Sequence, residues 1–205
     1  MDSDTLLTGL RRRQVLTGAC AALAVPAALR AQTRPILVGQ SVPTSGPVAT
    51  AFAAALAGQQ LAVDALNRDG GIDGRPLEML ITDDAYNTER TVQNVRELVE
   101  RDKVVALTGL GSTAGVGAVL PYLAQKGVPL VGAWTGAHVL RLRPHPTFFT
   151  SQASFQDEVE HALRTLSTIQ IGQVAVVYQD NPFGQSMLPV IEASAKAHGV
   201  QLLHK

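Results

Sequence analysis

The sequence predicts an α/β fold, a Rossmann-like parallel sheet with flanking helices. Three observations point there. From Pro35 onward, short apolar runs alternate with amphipathic helical patterns, which is the order that βαβ units produce. The joints are clusters of Gly, Pro, Ser, Asp and Asn, which end one element and start the next. With 205 residues, 46% of them hydrophobic and 17% charged, the chain can bury a sizeable core and is not compositionally disordered.

Taken in order, Ile36 to Val42 is the first strand, closed by the breaker-rich turn Pro43-Thr44-Ser45-Gly46-Pro47. The alanine-rich segment Val48 to Asn67 reads as a helix, with Phe52, Leu56, Gln59, Val63 and Leu66 about one turn apart on its inner face. Asn67 to Gly74 stops that helix and leads into a second strand, Pro76 to Thr82. Thr88 is placed to cap the next helix, Glu89 to Arg101. The paired Asp83 and Asp84 before it point in different directions and have no third ligand nearby, so a capped, solvated turn is expected there rather than a metal site.

Val104 to Thr108 is the third strand, and the chain then turns abruptly through Gly109-Leu110-Gly111 into a helix with Val116, Val119, Leu120 and Leu123 on one face. Gly127 to Gly132 is the fourth strand, running out into Ala133-Trp134-Thr135-Gly136-Ala137. Thr147 to Thr150 is a short strand placed to cross into a second lobe. Ser154 caps a helix from Phe155 to about Leu166, and Gln173 to Tyr178 is a further strand. Gln179 to Gly184 starts a helix reaching about Ala197, and another strand opens before Lys205.

The segment before Pro35 is of a different kind. Arg11, Arg12 and Arg13 precede an almost wholly apolar run from Val15 to Leu29, which is too short and too interrupted by Pro26 to span a bilayer. Residues 1–31 therefore read as an export signal cleaved after Ala31, leaving no stable membrane anchor, and Arg12-Arg13-Gln14-Val15-Leu16 fits the twin-arginine pattern. Cys20, the only cysteine, lies inside this signal, so the mature chain is expected to carry no disulfide, zinc-thiolate or cysteine nucleophile. The formal net charge is zero, which gives no basis for a nucleic-acid partner.

The chemistry concentrates at the turn after the third strand. A helix start presents unpaired N–H groups and the positive end of the peptide dipole, which suits a carboxylate or phosphate. Ser112 and Thr113 add hydroxyls there, although both residue types are also ordinary caps. Parallel βαβ units place successive strand ends on one edge, which brings Trp134 and Thr135 toward Ser112 and Thr113. Gly109 to Ala114 also satisfies the dinucleotide fingerprint G-x-G-x-x-A, the pattern of a nicotinamide oxidoreductase. However, it follows the third strand instead of the first, and no acidic residue for a ribose appears between Gly127 and Leu140. A serine hydrolase fails for want of G-x-S-x-G. The five histidines show no metal-ligand spacing, and His138, nearest the proposed cleft, reads as polar surface.

Several stretches together resemble a known family, the periplasmic substrate-binding proteins of branched-chain amino-acid ABC transporters, of the leucine/isoleucine/valine type. They are Ser45-Gly46-Pro47-Val48-Ala49, Ala65 to Leu77, Asp83-Asp84-Ala85, Gly111-Ser112-Thr113 with Gly127-Val128-Pro129, and Asp180-Asn181-Pro182-Phe183-Gly184. The resemblance runs from about Pro35 to the end, with the stretches in the right order. It implies a type I periplasmic binding fold, with residues 32–147 as the N-terminal part of a first lobe and residues 148–205 as the start of a second. It also implies a non-enzymatic, periplasmic protein with no cofactor, which binds a branched-chain amino acid or related small carboxylate between its lobes and delivers it to permease subunits. A ligand-sensing domain of the same fold is the alternative within that family of folds.

Carried over residue by residue, the resemblance assigns Ser112, Thr113, Trp134 and Thr135 to the grip on the carboxylate. Phe183 takes the position of an aromatic residue that closes on the ligand from the second lobe. The sequence departs from the family pattern at Ala51, where amino-acid binders commonly carry an aromatic ring, and at Trp134, where a small residue is common. Both departures count against leucine-like specificity. Members of the family run to nearly twice this length, and the acidic partner of the ligand ammonium falls beyond Lys205. The chain therefore reads as a truncated member, expected to bind ligand weakly or not at all.

Overall fold

The computed structural model of this protein describes residues 34–203. The export signal expected at 1–31, with Cys20, lies outside these residues, as does His204.

Five strands form a parallel sheet: β1 (Ile36–Val42), β2 (Leu77–Asp83), β3 (Ala106–Thr108), β4 (Leu130–Val131) and β5 (Phe148–Phe149). Their order is β2-β1-β3-β4-β5. The pairing of β1 with β2 runs in register from Ile36 opposite Leu77 to Val42 opposite Asp83, while β1 also pairs with β3 through Val38 and Ala106. The chain thus steps outward from β1 to β2 and returns to the other side of β1. The carboxyl ends of β1 and β3 flank the point where the winding reverses, the position where open α/β sheets hold ligands. The Phe148–Phe149 strand pairs with β4 in this same sheet.

Helices α1 (Ala49–Arg68), α2 (Thr88–Glu100) and α3 (Thr113–Lys126) connect these strands. The core lies where α2 and α3 cover one face of the sheet: Val95 and Leu98 of α2 meet Leu107 and Leu130 of the strands and Val116, Val119 and Leu123 of α3, all essentially removed from solvent. Burying a side chain of this size contributes about 1.5–3 kcal/mol. Among the described residues the opposite face carries only α1, with Val63 its one buried residue. Beside α1 runs a groove of about 380 Å³ lined by Val38, Val63, Leu66, Met79, Ala106 and Val131. Val131 and Phe149 on the strands remain 47% and 53% exposed, which is unusual for a parallel sheet, whose faces are normally both covered.

The second unit holds α4 (Phe155–Thr168), β6 (Gln173–Val174), α5 (Pro182–Ala197) and β7 (Gln201–Leu202), with β6 and β7 paired in parallel. Ser154 and Asp157 close a reciprocal capping box at the start of α4. Leu163, Ala195 and Val200 form its small core. Glu160 ties the two helices together, accepting from Ser194 Oγ at 2.8 Å and meeting His198 Nε2 at 2.5 Å.

Three local expectations are corrected. Asn87, not Thr88, caps α2, its side chain accepting from the Arg90 N–H; Asn in extended backbone reaches that amide, while Thr88 is already the first helical residue. The run Gln173–Tyr178 pairs only at its first two residues, and Val177 is 98% exposed. A strand needs a neighbour along its whole length, and β7 supplies one only for Gln173 and Val174. Asp84 is buried rather than solvated, its carboxylate accepting from Ser41 Oγ, Thr91 Oγ1 and the Tyr86 N–H.

Candidate functional site

At the switch point the polar residue Gln40, fully buried in β1, organises the loop that follows β3. Its Nε2 donates to the Gly109 carbonyl at 3.1 Å, and its Oε1 accepts from Gln59 Nε2 on α1 at 2.8 Å. A buried amide side chain is tolerated only when its groups are paired. Gly109 has φ of +59°, and a Cβ there would lie 2.1 Å from Gln40 Nε2, so both the backbone shape and the close approach require glycine. Gly111 makes a second close approach: its Cβ would fall 2.6 Å from the Phe52 ring.

Beyond Gly111 the backbone enters α3. Ser112 is buried in extended backbone, and its Oγ accepts from the Gly115 N–H at 3.1 Å, so the residue is the N-cap of α3. The Ser112 carbonyl takes the Val116 N–H. Thr113 and Ala114 occupy the first two helical positions, whose amides have no acceptor within the helix. The Ser112 hydroxyl proton is not used by the cap and remains available to an acceptor.

The end of β4 meets this helix start. The Trp134 N–H donates to the Leu110 carbonyl at 2.9 Å, joining the two loops. Thr113 Oγ1 and Thr135 Oγ1 lie 2.7 Å apart in a hydrogen bond, and Thr135 Oγ1 also accepts from the Ala137 N–H at 3.2 Å. Of two hydroxyls sharing one bond, one keeps a proton that the bond does not use, whichever residue donates. The four residues Ser112, Thr113, Trp134 and Thr135 therefore share one edge, as parallel winding requires. Phe183 does not join them directly. It stands at the start of α5, edge-on to Phe155 at 5.3 Å, and the Phe155 N–H donates to the Gly136 carbonyl next to Thr135.

Two features were not legible beforehand. Phe52, which the helical pattern places on the inner face of α1, stacks on Trp134 with centroids 5.7 Å apart and planes 16° from parallel. Gln40 organises the loop from inside a strand; its signal was the polar pair Gln40-Ser41 set between Leu37-Val38 and Val42. At the end of β2, Asp83 clamps the turn before α1, accepting from the Ser45 hydroxyl at 2.6 Å and from the Thr44, Ser45 and Ala85 amides. Arg90 pairs with it at 3.1 Å. The Ser45 hydroxyl, followed by those amides, holds the Asp83 carboxyl well below the usual carboxylate range despite some opposing desolvation.

Comparison with known proteins agrees with this architecture. The family model for periplasmic binding proteins matches residues 35–205. The chain belongs to the periplasmic binding protein family. Among curated relatives, the Leu/Ile/Val-binding protein homolog 3 of Brucella melitensis is 25% identical over 170 residues, covering 82% of this chain and 46% of the relative. Among solved structures, a substrate-binding periplasmic protein from Ralstonia solanacearum is 36% identical with a TM-score of 0.76, covering 82% of this chain and 48% of that one. An extracellular ligand-binding receptor from Verminephrobacter eiseniae is 27% identical with a TM-score of 0.75, covering 83% and 49%. The five-stranded unit is thus a lobe of a type I periplasmic binding protein, and the chain spans about half the length of the relatives it matches.

Proposed function

We propose that this periplasmic binding protein takes part in solute uptake by an ABC importer, binding a small carboxylate-bearing solute and presenting it to permease subunits. The observation that carries the reading is the bridge between Thr113 and Thr135 at the start of α3, beside the buried Ser112. It brings the hydroxyls of Ser112, Thr113 and Thr135 and the first amides of α3 together on one patch of the sheet edge. Such a patch solvates a carboxylate with neutral dipoles and the helix macrodipole, without a counter-ion. No covalent step is assigned, since the residues hold an anion and none of them is set up as an activated nucleophile. The names of the curated relatives, which are Leu/Ile/Val-binding proteins, add support for an amino acid or a related acid.

In this reading Phe183, carried by the second unit, closes over the solute once the units approach, with Phe155 as the intermediary. The basic, apolar segment at 1–31 directs export, and the mature protein works in the periplasm. In this reading residues 32–147 belong to the first lobe and residues 148–205 begin the second, with β5 the strand that leads from one to the other. The test is a titration of the chain with sodium acetate, leucine and benzoate, followed by backbone NMR. Shifts concentrated at Ser112, Thr113 and Thr135 support the assignment, and shifts confined to other residues with none there overturn it.

A further inference from the structure

We infer that Phe52 and Trp134 form the side wall of this carboxylate site and select a planar aromatic acid over a branched aliphatic amino acid. The inference rests on the proposal that Ser112, Thr113 and Thr135 hold a carboxylate. Trp134 is the chain neighbour of Thr135, and its N–H holds the Leu110 carbonyl of the loop that leads into Ser112. One face of the indole is covered by Phe52 in a near-parallel stack, and its five-six ring junction sits against Gly109, where a Cβ would be 3.1 Å from Trp134 Cε2. Phe52 is held in turn against Gly111. The two rings are thus fixed by contacts with backbone on both sides, and both remain half-buried, with part of each open to solvent.

A solute gripped at this edge must lay its body along that wall. A carboxylate bonded directly to a flat ring lies in the ring plane, so the ring can extend the stack while the anion stays in the dipole patch. A third ring in offset stacking gains attraction that an aliphatic group of equal size does not. A branched amino acid places a tetrahedral carbon and an ammonium at the same point. The indole can attract an ammonium through its face, which makes leucine the decisive comparison.

The experiment uses the full chain and four probes: benzoate, cyclohexanecarboxylate, leucine and benzyl alcohol, titrated by ligand-observed NMR. Benzoate is expected to bind at least about five-fold more tightly than cyclohexanecarboxylate or leucine. Trp134→Ala is expected to abolish that preference, while Trp134→Phe, which keeps a ring and guards against loss of fold, retains it. Leucine or cyclohexanecarboxylate matching benzoate would overturn the inference while leaving the carboxylate reading intact. Benzyl alcohol matching benzoate would overturn the carboxylate reading, because the ring would then suffice without the anion. A preference for benzoate unchanged in Trp134→Ala would overturn the role of the wall, and no binding of any probe would overturn the carboxylate reading on which it rests.

Discussion

Ser112 serves two ends that can be separated by one substitution. As the N-cap of α3 it accepts from Gly115, and aspartate caps equally well while also favouring the helix dipole. Ser112→Asp is therefore expected to keep the fold with an unfolding free energy within about 3 kcal/mol of the parent protein, yet to abolish carboxylate binding by placing an anion on the patch. Retained binding with the cap intact would mean that the patch is not where the carboxylate sits. Asp83 offers a second test at the same scale. Its carboxyl titrates lower in the folded protein than in the unfolded chain, so its stabilising contribution is complete above the usual carboxylate range and fades as pH falls through that range. Asp83→Asn is expected to cost about 1–3 kcal/mol at neutral pH, and the gap from the parent should narrow below about pH 4. Equal gaps at pH 7 and pH 3 in urea titrations would show that the carboxylate is not its source.

Among the elements, the loop between β3 and α3 is where small size matters most. A methyl group at Gly111 has nowhere to go without moving Phe52. Gly111→Ala is expected to lower stability by about 1–3 kcal/mol and, because Trp134 is the only tryptophan and loses its stacking partner, to change the emission spectrum. An unchanged spectrum would place Phe52 elsewhere. The helices and the first strands were legible because their signals are local: the inner face of α1 at Phe52, Leu56, Gln59, Val63 and Leu66 is the one the 3.6-residue period selects. The meeting of Ser112, Thr113 and Thr135 was legible too, since it follows from the handed winding of parallel strands. The ends of elements were less so. β6 stops at Val174 for lack of a partner strand, a fact no local pattern records. The Phe52–Trp134 stack joins segments far apart in sequence, and two aromatic residues with no shared periodicity announce no contact.

For the molecule as a whole, the two faces of the five-stranded sheet are unequal. One is sealed by α2 and α3, and the other leaves a groove beside α1 with Val131 and Phe149 open to water. Contiguous apolar surface of that kind promotes self-association. Val131→Lys is expected to change the unfolding free energy by no more than about 0.5 kcal/mol, because the side chain is already half in water, while reducing the association seen by light scattering at high concentration. An unchanged association would exclude this face as its origin.

Every strand pair in the two sheets is parallel. Among the described residues no hairpin joins strands of either sheet, and each pairing must wait until a long crossover has been spanned, which puts the loop-closure cost before the reward. Refolding is therefore expected to take about milliseconds to seconds, with helical signal appearing ahead of the rest. Gln40 in β1, Gly109 after β3 and Trp134 after β4 are brought together only once the intervening crossovers are closed, so this edge is among the last parts to assemble. In stopped-flow refolding, the indole fluorescence of Trp134 should lag the far-ultraviolet circular dichroism, and coincident traces would show instead that this edge forms together with the helices.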